Sequence, residues 1–301
     1  MSGRADITAG VLSFNRLADL QHTVSSVLAI DGLRLLVFDN GSTDGSAEFL
    51  RDAAAAHPEQ LRVILREENI GIAARNEMFA EIDTPYLLTL DDDSWPRSGE
   101  DVDALHAAME RDESIASVCA SCIHPETHVA ETMGIERFAS DGPRDGLFDV
   151  VNIAAGGTLL RMEAVRQTDG YGEEFFWGRE ENDLAFQLLL RGWRVTFLPE
   201  AVIWHSLSGT GRDPYRRLQN VTRNSFWLLW KYFPLPVAQP VSVLFAARRL
   251  LPVVRDIRRL RPVLRGIAAG YGGIRARRQS ERFSIRRTIA LRGWFLKLLY
   301  E

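Results

Sequence analysis

The chain has 301 residues, 46% of them apolar, which is enough for one large domain, or one domain with an appendage, and excludes a largely disordered protein. Its formal charge of −4 is an average of two unlike parts: residues 237–301 hold 15 Lys and Arg against 3 Asp and Glu, a net of +12, whereas the first 236 hold 21 against 37, a net of −16, and an acidic body of that kind argues against nucleic acid as a partner. Two cysteines, no basic and apolar leader and no uninterrupted apolar run approaching roughly 18 residues exclude a disulfide framework and predict a cytoplasmic chain that does not span a bilayer.

In chain order, apolar strand-like runs at Ile7–Phe14, Leu33–Phe38, Leu61–Leu65, Tyr86–Leu90 and Ile115–Ala120 alternate with helical patterns at Leu17–Leu28, Ser46–Ala56 and Ala73–Ile82. That alternation predicts an α/β architecture, a mainly parallel central sheet flanked by helices. The first strand runs into Ser13-Phe14-Asn15-Arg16. The second runs into Asp39-Asn40-Gly41-Ser42-Thr43-Asp44-Gly45-Ser46, a polar turn in which a carboxylate can accept from a nucleobase or ribose, or in which Asp44 merely caps the next helix. A third loop, Asn69-Ile70-Gly71, opens a helix carrying Arg75, a candidate phosphate partner, although neither G-x-G-x-x-G nor G-x-x-x-x-G-K-[ST] is present.

Directly after Tyr86–Leu90 stand three consecutive carboxylates, Asp91, Asp92 and Asp93. Adjacent acids raise one another's pKa, so they are best tolerated beside a cation or in open water, and a strand end aimed into the crevice of an α/β sheet favours the cation. Cys119 and Cys122 form a lone C-x-x-C inside a strand-like segment. They read as reduced core residues, with a redox pair as the alternative.

After Asn152 the pattern loosens into Gly-rich loops, among them Ala154-Ala155-Gly156-Gly157-Thr158 and Phe175-Phe176-Trp177-Gly178. A helix is predicted over Asp183–Arg191, stopped by Gly192, with Glu180 and Glu181 at its start, where the helix dipole favours an ionised base. Val202–His205 reads as a short strand ending in a histidine able to offer a neutral nitrogen to a metal. Two prolines, Pro234 and Pro236, mark a boundary between a domain of residues 1–236 and a basic helical region of residues 237–301. There Val253, Ile257, Leu260, Leu264 and Ile267 recur at helical spacing among Arg255, Arg258, Arg259, Arg261 and Arg265, an amphipathic helix kinked at Pro262 and suited to an anionic inner-leaflet surface, with Phe283, Ile285, Trp294, Phe295, Leu298 and Leu299 as further anchors. Packing on the acidic body is the alternative use of that face.

Taken together, Ser13–Arg16, Asp39–Ser46, Asn69–Gly71 with Arg75 and Asn76, Asp91–Asp93, and Glu180-Glu181-Asn182-Asp183-Leu184 resemble, in order and spacing, the motifs of family 2 glycosyltransferases, over about residues 6–233. The resemblance implies a GT-A fold, a nucleoside diphosphate sugar donor, a Mg2+ or Mn2+ cofactor and inversion at the anomeric carbon. It implies a donor site of Ser13, Asn15, Arg16, Asp39, Asn40, Ser42, Asn69, Gly71, Arg75, Asp91 and Asp92, and a metal site of Asp93, Asp91 and His205. Acceptor contacts fall to Gly156, Gly157 and Trp177. In the catalytic motif the family commonly has Glu-Asp, and here the positions read Glu180, Glu181 and Asp183, so Glu181 is the expected base with Glu180 as rival. The acceptor is expected to be a saccharide or a lipid-linked sugar. Tyr215, Arg223-Asn224 and Leu228–Lys231 are similar to rhamnosyltransferase-like members, which points to a deoxysugar. A nucleotidyltransferase, lacking its basic triphosphate loop here, and a binding scaffold with a degenerate site are the competing readings.

Overall fold

The computed structural model describes residues 3–130, 146–154, 156–206, 213–273 and 282–290. Strand β1 (Ile7–Ser13) is buried on both faces, as a central parallel strand must be, and it pairs in parallel with β2 (Arg34–Asp39) on one side and β4 (Tyr86–Asp91) on the other. β3 (Leu61–Leu65) extends the parallel half beyond β2. Helices α1 (Leu17–Leu28), α2 (Ser46–Ala56) and α3 (Ala73–Glu81) make the crossovers, so every strand of this half ends at one edge. These boundaries fall within a residue of those read from the sequence, because apolar periodicity and turn residues agree here.

The second half of the sheet is mixed. β8 (Thr158–Arg161) runs antiparallel between β4 and β6 (Ile115–Ile123), and β9 (Arg194–His205) pairs in parallel with β6. The short β5 (Ser94–Pro96) and β7 (Phe148–Asp149) pair antiparallel with β9. The expected strand Val202–His205 is thus the end of a twelve-residue strand, its length hidden because the β6–β9 register shifts between Ala120 and Ser121. Helix α4 (Gly99–Glu110), capped by Ser98, covers one face of this half. Cys119 and Cys122 are both buried within β6, as expected of core residues.

Helix α5 (Glu180–Leu190) begins three residues before the predicted start at Asp183. The reason is Arg179, which adopts a left-handed φ of 76° and turns the chain sharply into the helix, a conformation that an arginine does not advertise in sequence. Helix α6 (Pro214–Tyr232), capped by Asp213 with Pro214 in its first turn, carries the following segments on its back. They are α7 (Leu235–Leu250), two 3-10 turns at Leu251–Val254 and Ile257–Arg259, α8 (Leu260–Gly272) and the short α9 (Ile285–Ala290).

Residues on both sides of the proline boundary share one core. Phe226, Tyr232 and Phe233 meet Ala238, Phe245 and Phe283 of the basic region, together with Phe175 and Phe186 of the body. Pro262 does not kink a helix. It lies in the first turn of α8, where its missing N–H has no partner to lose. The face α8 buries is Val263, Gly266 and Gly270 rather than the predicted stripe, because the glycines allow close approach to α6: a Cβ at Gly266 would lie 2.8 Å from the Gln219 carbonyl oxygen and one at Gly270 2.8 Å from Phe226 Cβ. Leu235–Val254 is long and apolar enough, by length and composition, to cross a membrane, which the run of uninterrupted apolar residues did not register. Trp294, Phe295, Leu298 and Leu299 lie outside the described residues.

Candidate active site

The carboxyl ends of β1, β2 and β4 deliver Ser13, Asp39 and Asp91 to one crevice. After Asp91 the chain turns tightly into β5, and the Ser94 hydroxyl, accepting from the Asp91 N–H at 2.8 Å, braces the turn. Ser94 and His205 are register partners, so the end of β9 arrives beside the acids. His205 Nε2 stands 3.1 Å from Asp93 Oδ1, and the Ser206 N–H donates to the Asp93 carbonyl. An oxygen of Asp91, an oxygen of Asp93 and a nitrogen of His205 lie within 4.8 Å of one another. Two carboxylates and one imidazole, with Asp93 and His205 buried and Asp91 partly exposed at the wall of the cavity over this edge, are a donor set that fits Mg2+ or Mn2+.

Two arginines balance the remaining charge. Arg75, at 2% exposure, donates to Asp91 Oδ1 at 2.6 Å, while its Nη1 is buried without a hydrogen-bond partner. Arg16 Nη1 bridges Asp92 at 2.9 Å and Asp93 at 2.8 Å. Burial still pushes Asp92 up to about 7, against the pull of Arg16 and with the push of its two acidic neighbours.

Asn15 has a left-handed φ of 53°, and its side chain accepts from the Thr43 N–H at 2.7 Å, tying the first loop to the second. Asn40 ties the second to the third by donating to Asn69 Oδ1 and the Gly71 carbonyl and accepting from Ile70 N–H. Gly71 is required: at φ 64°, a Cβ there would meet the Phe176 ring at 2.7 Å. Asp39 is buried and turned inward, where it accepts from the hydroxyl and N–H of Ser42; burial raises its pKa. Neither Asp39 nor Ser42 lines the cavity over this edge, in contrast to Ser13, Asn15, Arg16, Asn40, Asn69, Gly71, Arg75, Asp91 and Asp92, which do. Asp44 caps rather than binds, accepting from the N–H groups of Leu17 and Ser46 at two helix starts.

That cavity, of about 480 Å³, is closed on its far side by Phe176, Trp177, Glu180 and Glu181. A second cavity, of about 780 Å³, opens between α5, α6 and the 3-10 turns of the basic region. Trp177 and Glu181 line both. Glu180 lines only the first; it is 3% exposed, with Oε2 unpartnered. Burial raises both glutamates. For Glu180, pushed well above the ordinary range, the like charge of Glu181 adds to burial; for Glu181, Asp91 adds to it while Arg75 and Arg179 oppose.

Asp183 reaches neither cavity. It is fully buried beneath the helix, accepting from Lys231 Nζ and Tyr232 Oη, each at 2.7 Å. Gly156 lies under the acids, where a Cβ would stand 2.8 Å from Asp91 Oδ2, and Gly157 is packed against Cys122 and Ile203; neither lines either cavity. The 175–178 loop is held by residues whose part the sequence did not disclose: Asn224 donates to the Phe175, Trp177 and Gly178 carbonyls, and Arg223 to that of Phe175. Arg216 and Arg217 stack over Phe176 and Trp177 at 5.5 and 5.8 Å. Arg223 and Asn224, standing just before the apolar run of Phe226–Trp230, were the available signal.

A family model described as glycosyl transferase family 2 matches residues 8–168. No curated protein matches in sequence. Among solved structures, a mannosyltransferase from Pyrobaculum calidifontis in complex with GDP-mannose and Mn2+ superposes with a TM-score of 0.64 at 16% identity, over 98% of this chain and 86% of the other. GalNAc-T7 with UDP, GalNAc and Mn2+ gives 0.65 at 14% identity, over 90% and 56%. TarS of S. aureus gives 0.57 at 14% identity, over 81% and 43%. At these identities the likeness is one of fold.

Proposed function

The chain belongs to glycosyl transferase family 2, and on that footing we propose that it transfers a sugar from a nucleoside diphosphate to an acceptor hydroxyl by direct displacement, with inversion at the anomeric carbon. The observation that carries the proposal is that Glu181 lines both cavities. A carboxylate standing between two binding sites is placed to take a proton from a hydroxyl in one as that hydroxyl attacks a carbon in the other. Attack by that hydroxyl as the diphosphate departs is a single displacement, which inverts the anomeric carbon.

The cavity of about 480 Å³ is the proposed donor site. Ser13, Asn15 and Asn40 border it with hydrogen-bonding groups, and Arg16 and Arg75 supply fixed cations for the diphosphate. Asp91, Asp93 and His205 would hold the divalent ion, which when bound stabilises negative charge on the departing diphosphate. Arg75, already on Asp91 and with Nη1 free to donate, couples the same charge to the wall of the site. Glu180 is not the base in this reading, because it does not reach the acceptor cavity. Asp183 positions: its bonds to Lys231 and Tyr232 fix α5 against α6 and so fix Glu181 at its first turn. Trp177, at the junction, offers a ring face to a sugar. The inward turn of Asp39 leaves base recognition to Asn40 and to the backbone of the second and third loops.

The test is nucleoside diphosphate release from a panel of UDP-, GDP- and dTDP-sugars, with and without Mn2+, for wild type and Asp93→Ala. Metal-dependent release from one donor, lost in the variant, supports the reading. Silence across the panel together with metal-dependent nucleotide binding would replace it with a scaffold that binds but does not transfer.

A further inference from the structure

The segment that walls the acceptor-side cavity alternates between two environments. Arg249, Asp256 and Arg259 line the cavity, and between them Leu251, Val254 and Ile257 point to solvent at 59, 90 and 70% exposure. The cavity mouth therefore carries an apolar rim. Val243 and Leu244 on α7 and Leu264 on α8 are also exposed, at 62, 57 and 49%, and among the described residues most of the exposed large hydrophobic side chains belong to this C-terminal region.

The same surface is basic. Arg255, Arg258, Arg261 and Arg265 are exposed around the rim, in a region with 15 Lys and Arg against 3 Asp and Glu. Apolar side chains at the level of acyl chains, ringed by arginines at the level of anionic headgroups, are the chemistry of a peripheral membrane face. One face of α7 packs along the protein: Ala238, Ser242 and Phe245 are buried, and Ser242 receives a hydrogen bond from Trp230 Nε1 at 3.0 Å. A second copy of this chain would bring a second basic patch against the first, whereas an anionic lipid surface complements it.

We propose that the Leu251–Ile257 turn seats in the surface of an anionic membrane, so that the acceptor-side cavity opens onto the bilayer and receives an acceptor hydroxyl presented from a lipid. This rests on the assignment of that cavity to the acceptor under Proposed function. The cavity's own arginines, Arg179, Arg217, Arg249 and Arg259, outnumber Glu181 and Asp256 and suit an anionic headgroup such as a phosphate or diphosphate between lipid and sugar.

The test is co-flotation of the full chain with vesicles of phosphatidylcholine alone or mixed with phosphatidylglycerol, comparing wild type with the double variant Val254→Asp, Ile257→Asp. Both positions are solvent-exposed, so folding, read by circular dichroism, and metal-dependent nucleotide binding are expected to persist. Wild type should float with the mixed vesicles and not with phosphatidylcholine alone, and the variant should bind them about ten-fold or more weakly. Equal flotation of variant and wild type, or no flotation of either, overturns the proposal. So does a shift from dimer to monomer in the variant by light scattering, which would give the face to a second copy. Nucleotide binding and donor turnover are read separately, so failure of the membrane face leaves the glycosyltransferase reading standing, and the reverse.

Discussion

The proposed donor half and the proposed acceptor half of the crevice are built by different means. On the donor side, three parallel strands end at one edge and each hands over its polar loop within a few residues: Ser13–Arg16, Asp39–Ser46 and Asp91–Asp93. On the acceptor side, the wall is assembled from the 175–179 loop, α5, α6 and turns beyond residue 248, segments far apart in the chain and joined by side-chain bonds such as Asn224 to the Phe175 carbonyl. The first construction makes a site that follows from topology. The second makes one that can be altered by changing how helices dock, without disturbing the sheet.

That contrast ranks the effects of substitution. Glu181→Gln, at the junction, should reduce transfer by about 10^2 to 10^4-fold with donor affinity nearly unchanged, measured by initial rates and titration calorimetry. Asp93→Ala or His205→Ala should instead weaken the metal dependence, seen as a rise of about 10-fold or more in the Mn2+ concentration giving half-maximal rate. Gly266→Val acts on the acceptor side alone. A side chain there meets the α6 backbone, so thermal stability should fall by about 1–3 kcal/mol as α8 is displaced, and the acceptor KM should rise more than the donor KM.

Acidity separates the two glutamates from ordinary ones. Because the Glu181 pKa is raised by burial, the ionised base is lost as pH falls through a value above the usual glutamate range, so kcat should fall on the acidic side earlier than an exposed glutamate would dictate. The stability sign runs the other way. A carboxyl whose pKa rises on folding binds its proton more tightly in the folded state, and therefore opposes folding at neutral pH and ceases to do so below the unfolded value. Glu180→Gln, which removes such a group, should raise the melting temperature at pH 7 and leave it unchanged near pH 4, as differential scanning fluorimetry would report.

The same division decided what could be read from the sequence. The parallel half of the sheet and its loop edge were legible because strand periodicity, turn residues and acidic loops all reinforce one another: Tyr86–Leu90 followed by Asp91–Asp93 fixes both the strand and the edge at which it ends. His205 was found because β9 ends on it, although the length of that strand was concealed by a register shift. On the other side the sequence misled where the decisive facts are three-dimensional. Arg179 starts α5 early from a left-handed conformation, and Asp183, which looks like a member of an acidic cluster, is drawn into the core by Lys231 and Tyr232 from a helix nearly fifty residues away. Gly266 and Gly270 carry no apolar signal, yet they form the face that docks. The paired acids Glu180 and Glu181 were visible, but which of them lines both cavities is defined only by the folded chain.

Glu181 is proposed as the base shared by two cavities, and single-turnover transfer by Glu181→Gln and Glu180→Gln at saturating donor and metal tests that role. The Glu181 variant is expected to lose transfer by at least about 10^2-fold while the Glu180 variant retains most of it, with both binding donor like wild type. Transfer at wild-type rate by the Glu181 variant, or the larger loss falling on Glu180, would contradict it.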